Sequence, residues 1–393
     1  MSSELDVCVD GHQTGKLFKE TADIVFSYGD STSPDQFVSL TMPVRRKEYS
    51  HRYLHPIFEM HLPEGYLLST IKKQFAKITD TDDLGLLRLL APSIRGRIEY
   101  NRQDQSESNP LHLNTLLHSD NPGLFEELVS RFALRSALSG VQPKVLAQLE
   151  NKATLRLDDF IVKAWGQDYP ALALNEYCCM LACKYADIPV PEFHLSDDES
   201  LFIMKRFDLN EDGSALGFED MCVLQAKQRD DKYTGSYEQV AKTIKTFASP
   251  VSKRASLEQF FKMIVLNNAL QNGDAHLKNF GLTYKNTDSI RLAPAYDIVC
   301  TTVYINRDIP ALTLAGSKKW MPRAKLERFG VQACELTGAR ATALYEECRN
   351  ALRELLPYLT MRLAQTPDTD QRMVLEHLQT LIATETGASL PGR

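Results

Sequence analysis

Hydrophobic positions along the chain alternate with polar ones near the N-terminus and turn mostly to a helical repeat in the second half. Leu5-Asp6-Val7-Cys8-Val9 has the period of two that marks a half-buried strand, and Asp10-Gly11 and Thr14-Gly15 supply turn chemistry beyond it. Ile24-Val25-Phe26-Ser27-Tyr28 predicts a second strand. Leu67, Leu68, Ile71, Phe75 and Ile78 recur at intervals of three to four, which predicts a helix. Residues 1–100 therefore read as a small α+β module. Residues 101–110 contain no apolar side chain and read as a linker or mobile loop extending to about 120.

Beyond the linker the pattern is mixed. Lys144-Val145-Leu146-Ala147-Gln148-Leu149, Phe160-Ile161-Val162-Lys163 and Leu201-Phe202-Ile203-Met204 read as strands, and residues 172–186 as a helix. From residue 257 onward, Leu257, Phe260, Phe261, Ile264, Val265 and Asn268 share one helical face, which Gly273 is expected to end. Residues 340–385 read as largely helical, with Pro357 a break or kink. The chain thus divides into a strand-rich part at 121–210 and a helix-rich part at 211–393, an α+β class without internal repeats.

One segment carries chemistry. Asn272-Gly273-Asp274-Ala275-His276-Leu277-Lys278-Asn279-Phe280 follows the long helix and precedes an apolar strand, so Asp274 and Asn279 sit five apart on a short loop. Phosphoryl-transfer catalytic loops use that spacing: the aspartate takes or orients the acceptor's hydroxyl proton, and the asparagine oxygen binds Mg²⁺. Asp297 follows in Leu292-Ala293-Pro294-Ala295-Tyr296-Asp297-Ile298, and a turn at Asn286-Thr287-Asp288 would fold it back beside Asn279 as the second, anionic ligand. Asp and Asn also cap ordinary turns. The preceding helix, the hairpin and the trailing aspartate together favour the metal-phosphate reading. Upstream, Lys163 on an apolar strand and Glu176 thirteen residues later on a helix match the lysine–glutamate pair that grips phosphates. Ser139-Gly140-Val141-Gln142-Pro143-Lys144 could offer backbone N–H groups to phosphate.

Composition narrows the setting. No run of eighteen apolar residues exists and the N-terminus lacks a basic, then apolar, leader, so a cytoplasmic protein without a membrane span is expected. The eight cysteines lack paired metal spacing and read as buried thiols, Cys178, Cys179 and Cys183 among them. The formal net charge of −6 argues against broad binding of nucleic acid by this chain alone.

Four of these segments in order, residues 139–144, Lys205-Arg206-Phe207-Asp208, residues 272–280 and Tyr296-Asp297-Ile298, resemble the HipA family, kinase toxins of bacterial toxin–antitoxin pairs. Asn175-Glu176-Tyr177 and Phe218-Glu219-Asp220 match weaker family stretches, and the N-terminal module with Leu40-Thr41-Met42-Pro43-Val44 resembles the family's first subdomain. The resemblance implies a two-lobed, protein-kinase-like fold that uses ATP and Mg²⁺ to phosphorylate serine or threonine in a protein. By family, the target is an aminoacyl-tRNA synthetase of the glutamyl type, and a HipB-like helix-turn-helix antitoxin restrains the toxin and carries the complex onto DNA. It also implies an ATP site drawn from Ser139, Gly140, Val141, Gln142, Lys144, Lys163, Glu176, the hinge residues Lys205, Arg206 and Phe207, and His276, Lys278 and Tyr296, with Asp274 catalytic and Asn279 and Asp297 on the metal. One departure stands out: the family's autophosphorylated serine falls at Ala137, so Ser139, or failing that Ser136, is the candidate for such a switch. Two other readings fit the catalytic loop: a small-molecule kinase of the aminoglycoside or choline type, and a pseudokinase binding module.

Overall fold

The computed structural model describes residues 4–64, 68, 72, 82–94, 96–101, 113–118, 124, 153–156, 160–164 and 168–389. The segment expected to cradle phosphate, with Ser136, Ala137, Ser139, Gly140, Val141, Gln142 and Lys144, lies outside the described residues, as do the strand expected at 144–149 and most of the helix expected around 67–78.

Strands β1 (Leu5–Val9), β2 (His12–Glu20), β3 (Asp23–Tyr28), β4 (Tyr49–His51) and β5 (Ile98–Tyr100) form an antiparallel sheet in the order β4-β3-β2-β1-β5. Helix α1 (Asp83–Leu90), capped by the Asp82 carboxylate on the Gly85 N–H, shares its core through Leu84, Leu86, Leu87 and Leu90. Thr14-Gly15, expected as a turn, lies inside β2. Val7 pairs with Gly15 and Cys8 with Gln13, so Thr14 is the extra residue of a bulge. Gly15 is required there, because a Cβ would stand 2.4 Å from the Ser27 carbonyl oxygen. Residues 113–117, expected in a linker, form a short helix, Leu113–Leu117, with Leu116 buried.

A second sheet, in the order β6-β7-β9-β8, contains β6 (Ala153–Arg156), β7 (Phe160–Ala164), β8 (Phe193–Leu195) and β9 (Leu201–Lys205). Alternation decides what each face meets. Val162, Ala164, Leu201 and Ile203 join the core of the N-terminal module, whereas Phe202 and Met204 join the helical core. Lys163 therefore points toward the helical side, where α2 (Leu172–Tyr185) packs. That helix is apolar almost all round and buried accordingly. All eight cysteines are buried free thiols, and burial pushes the Cys178 thiol up to about 12.

The remaining strands, β10 (Gly217–Asp220), β11 (Gly281–Tyr284) and β12 (Arg291–Leu292), form a three-stranded sheet beside α3 (Tyr237–Phe247), α4 (Pro250–Ala269), α5 (Arg323–Gln332), α6 (Gly338–Gln365) and α7 (Thr369–Thr386). Helix α4 stops at Ala269, four residues before Gly273, because Gln271 turns into the left-handed region at φ 51°. Pro357 neither breaks nor ends α6, which runs unbroken past it to Gln365. Leu352, Leu355 and Leu359 anchor both sides of the proline in the core, which outweighs the one backbone hydrogen bond it forfeits.

The N-terminal module meets the helical part through a buried carboxylate. Glu219 accepts hydrogen bonds from Ser39 Oγ at 2.7 Å, the Leu40 N–H at 2.8 Å and Tyr284 Oη at 2.6 Å. Burial raises its pKa, and those three donors offset much of the cost.

Candidate active site

The loop of residues 272–280 hangs from the end of α4 by an asparagine ladder. Asn267 Nδ2 donates to the Met263 carbonyl at 2.8 Å, Asn272 Nδ2 to Asn267 Oδ1 at 2.7 Å, and the Asp274 N–H to Asn272 Oδ1 at 3.0 Å. Thr301 Oγ1 accepts the Gly273 N–H at 2.8 Å, and a Cβ on Gly273 would collide with the Asp308 carboxylate at 1.9 Å. Only glycine lets the segment after Asp297 approach the loop this closely.

Asn279 Nδ2 then donates to the Asp274 carbonyl at 2.9 Å and lies 3.5 Å from the Asp297 carbonyl. Its amide nitrogen is committed to backbone, which leaves Oδ1 as the end suited to a hard cation. The hairpin is short, since β12 has two residues, yet it returns Asp297 beside Asn279 as the spacing requires. Asp297 is held at φ 58°, a left-handed conformation that costs a non-glycine residue about 1 kcal/mol and recurs at functional sites.

Lys163 Nζ donates to Glu176 Oε1 and to Asp297 Oδ1, both at 2.6 Å. The lysine side chain is 5% exposed, the glutamate 0% and the aspartate 17%, so a buried lysine–glutamate pair is joined by a partly exposed aspartate across β7, α2 and the segment after β12. Asn175, one residue before the glutamate, accepts the Cys300 N–H at 2.8 Å and donates to the Cys300 carbonyl at 2.9 Å, which pins the stretch after Asp297 to α2.

Other residues expected around ATP have partners within the chain. Arg206 is buried and bonds Asp208 at both ends, Nε to Oδ1 at 3.0 Å and Nη2 to Oδ2 at 2.9 Å, since a buried guanidinium needs a carboxylate. Lys205 is exposed. Phe207 stacks on Tyr296 with ring centroids 5.1 Å apart, and Tyr296 Oη donates to the Lys278 carbonyl at 2.7 Å. Lys278 Nζ meets Glu64 at 2.6 Å and Asp220 at 3.5 Å, so two carboxylates already neutralise it. Burial opposes its charge, but Asp220 and Glu64 more than compensate and raise its pKa. Burial alone would raise the pKa of Glu64, yet Lys278 and Lys232 outweigh it and hold it at about 2. These bridges to the N-terminal module therefore contribute fully above the ordinary value of 4.5 and are lost as pH falls toward 2. Acid titration of folding stability, compared with Glu64→Gln, should show the difference between wild type and variant closing across that window.

His276 is buried, and burial lowers its pKa, so the imidazole is neutral near pH 7. Its Nε2 lies 3.8 Å from Asp274 Oδ1. Sequence reasoning missed Tyr233, whose hydroxyl donates to the same Oδ1 at 2.7 Å, and Glu64. No local motif marks either residue, because each reaches the loop from a distant segment.

Two family models match in register with this architecture: the HipA N-terminal domain over residues 5–101 and the HipA-like C-terminal domain over residues 136–356, more than half of the chain. The chain belongs to the HipA family. Among relatives, the candidate kinase Y4dM of Sinorhizobium fredii is 27% identical over 296 residues, covering 69% of this chain and 68% of its own. A second candidate kinase of that organism, Y4mE, is 24% identical over 328 residues, covering 76% and 78%. The Shewanella oneidensis HipA in complex with HipB and operator DNA aligns over 97% of this chain and 96% of its own, with a TM-score of 0.71 at 16% identity. This HipA-family chain thus has the α+β, two-lobed, kinase-like fold. Among its described residues, no helix is long and apolar enough to cross a membrane.

Proposed function

We propose that the chain is an ATP- and Mg²⁺-dependent protein serine/threonine kinase acting as the toxin of a toxin–antitoxin pair. The observation that carries this reading is the Lys163 ammonium held at 2.6 Å by both Glu176 and Asp297, with Asn279 and Asp274 on the adjoining loop. A structural ion pair would need one carboxylate. A lysine shared between a helix glutamate and an aspartate beside an asparagine is the arrangement that grips nucleotide phosphates.

Each side chain then has a task. Lys163 holds phosphate oxygens, with Glu176 fixing its position. Asn279 Oδ1 and the Asp297 carboxylate are the oxygen donors suited to Mg²⁺, which when bound neutralises charge on the β- and γ-phosphates. Asp274 receives the proton of the acceptor hydroxyl as that oxygen bonds to the γ-phosphorus and ADP departs. The Ser139–Lys144 loop, by the family pattern, covers the phosphates, and Ser139 is the proposed autophosphorylation position. The strand β9 leads into the hinge, where the Phe207 and Tyr296 rings give the nucleotide an apolar wall.

The solved Shewanella complex contains HipB and operator DNA. With a net charge of −6, this chain is suited to leave DNA contacts to a basic, HipB-like partner. The proposed target, by family, is an aminoacyl-tRNA synthetase of the glutamyl type.

Incubating the chain with labelled ATP and an extract from cells lacking it tests the reading. One labelled protein carrying phosphoserine or phosphothreonine is expected. Label confined to small molecules, or no label at all, would overturn it. The metal assignment has its own test. Asp297→Ala should lower Mg·ATP affinity about 10- to 100-fold, the loss of one charge-assisted contact, and Asn279→Ala should lower it less. Unchanged calorimetric Mg·ATP binding in both variants would put the metal elsewhere.

A further inference from the structure

Among the described residues, the Asp274 carboxylate is gripped on one oxygen. Tyr233 Oη donates to Oδ1 at 2.7 Å, and the His276 Nε2 stands 3.8 Å from that same oxygen, with the two rings edge to face at 5.1 Å. Among the described residues, no hydrogen bond reaches Oδ2, and the Asp274 side chain is 32% exposed.

The tyrosine is delivered there by a held backbone. The Lys232 carbonyl accepts the Leu277 N–H of the catalytic loop at 3.1 Å, and the Tyr233 carbonyl accepts Lys318 Nζ at 3.4 Å. The Thr234 N–H donates to the Asp231 carbonyl at 2.8 Å. Lys232 Nζ bonds Glu64 Oε2 at 2.9 Å, while the other oxygen of that carboxylate takes Lys278 at 2.6 Å. Glu64 of the N-terminal module thus ties together the two segments that flank Asp274.

We propose that Tyr233 is a positioning residue that fixes the Asp274 carboxylate through Oδ1 and leaves Oδ2 for the acceptor hydroxyl. This rests on the kinase reading above. A carboxylate free to rotate presents its basic oxygen to the acceptor only part of the time. A donor anchored to the scaffold removes that freedom before substrate arrives, and such preorganisation acts on the chemical step rather than on nucleotide affinity. Tyr233 itself touches neither the acceptor nor the nucleotide. Its side of the site is open, with the residue 45% exposed, so removing one hydroxyl leaves packing intact.

The test uses the full chain and two readouts: hydrolysis of Mg·ATP, with water as acceptor, and label transfer to protein in the extract described above. Tyr233→Phe should lower kcat in both about tenfold, with KM and calorimetric affinity for Mg·ATP unchanged. In an Asp274→Asn background the same substitution should cost less than about twofold, because the proposed role of the hydroxyl runs through that carboxylate. Three results overturn the proposal. A rise in rate would make Tyr233 a plug in the acceptor's place, an unchanged rate would make it a bystander, and an equal loss in both backgrounds would make its role merely structural. Wild-type chain that binds Mg·ATP but turns nothing over overturns the kinase reading as well, an outcome distinct from active wild type with an unaffected variant.

Discussion

Asp274→Asn should reduce phosphoryl transfer by about 10²–10⁴-fold, the usual contribution of a positioned base, while Mg·ATP affinity stays near wild type. The substitution is close to isosteric. The amide oxygen can still accept the Tyr233 hydroxyl, and the loop's internal hydrogen bonds use the Asp274 backbone, its N–H to Asn272 and its carbonyl to Asn279. Loop geometry therefore survives and only the proton acceptor is lost. Nucleotide contacts are assigned to Lys163, Asn279 and Asp297, none of which changes. Single-turnover rates and calorimetry read the two halves separately. Wild-type turnover in the variant would remove Asp274 from the chemistry, and lost Mg·ATP binding would place it on the nucleotide instead.

Lys163→Met should be costly twice over. Glu176 is fully buried and bonded to Lys163 at 2.6 Å, so removing the ammonium leaves a carboxylate in the core without its cation. Breaking one partner of such a pair typically destabilises by about 3–5 kcal/mol, readable as a lower denaturant midpoint. Nucleotide binding should fall as well, since the cation held at 2.6 Å from Asp297 is gone. The double variant Lys163→Met/Glu176→Met separates the effects: apolar side chains of similar length at both positions should restore much of the stability and none of the activity. Single and double variants of equal stability would mean that Lys163 and Glu176 do not act as a buried ion pair.

Period-two alternation placed β1, apolar runs placed β3, β7, β9 and α2, the last three because they are buried between cores or nearly all round, and a shared helical face placed α4. Where local chemistry was ambiguous, the reading went wrong. Thr14-Gly15 resembles a turn but serves a bulge, since the close approach of Ser27 and Phe26 is a property of a partner strand. Pro357 looks like a helix end but is overridden by leucines that bury on either side of it. Arg206, expected at the hinge, bonds Asp208 two residues on, whereas Lys278, expected at the ATP site, meets Glu64 and Asp220, carboxylates that only the packed chain brings within reach.

What the sequence alone determined is what lies close along the chain: the Asp274–Asn279 spacing on one loop, the hairpin returning Asp297 to it, and a strand lysine thirteen residues before a helix glutamate. Short separations leave the backbone few ways to arrange such residues, so spacing carries geometry. The structure decided the long-range meetings. Lys163 and Asp297 are 134 residues apart, Lys232 and Glu64 are 168, and Tyr233 and Asp274 are 41. Loop closure over such lengths selects no particular partner, because its entropic cost varies only slowly with length. These contacts follow instead from how two cores pack together, with β7 and β9 facing both and Glu64 carried from one module onto the Asp274 loop of the other.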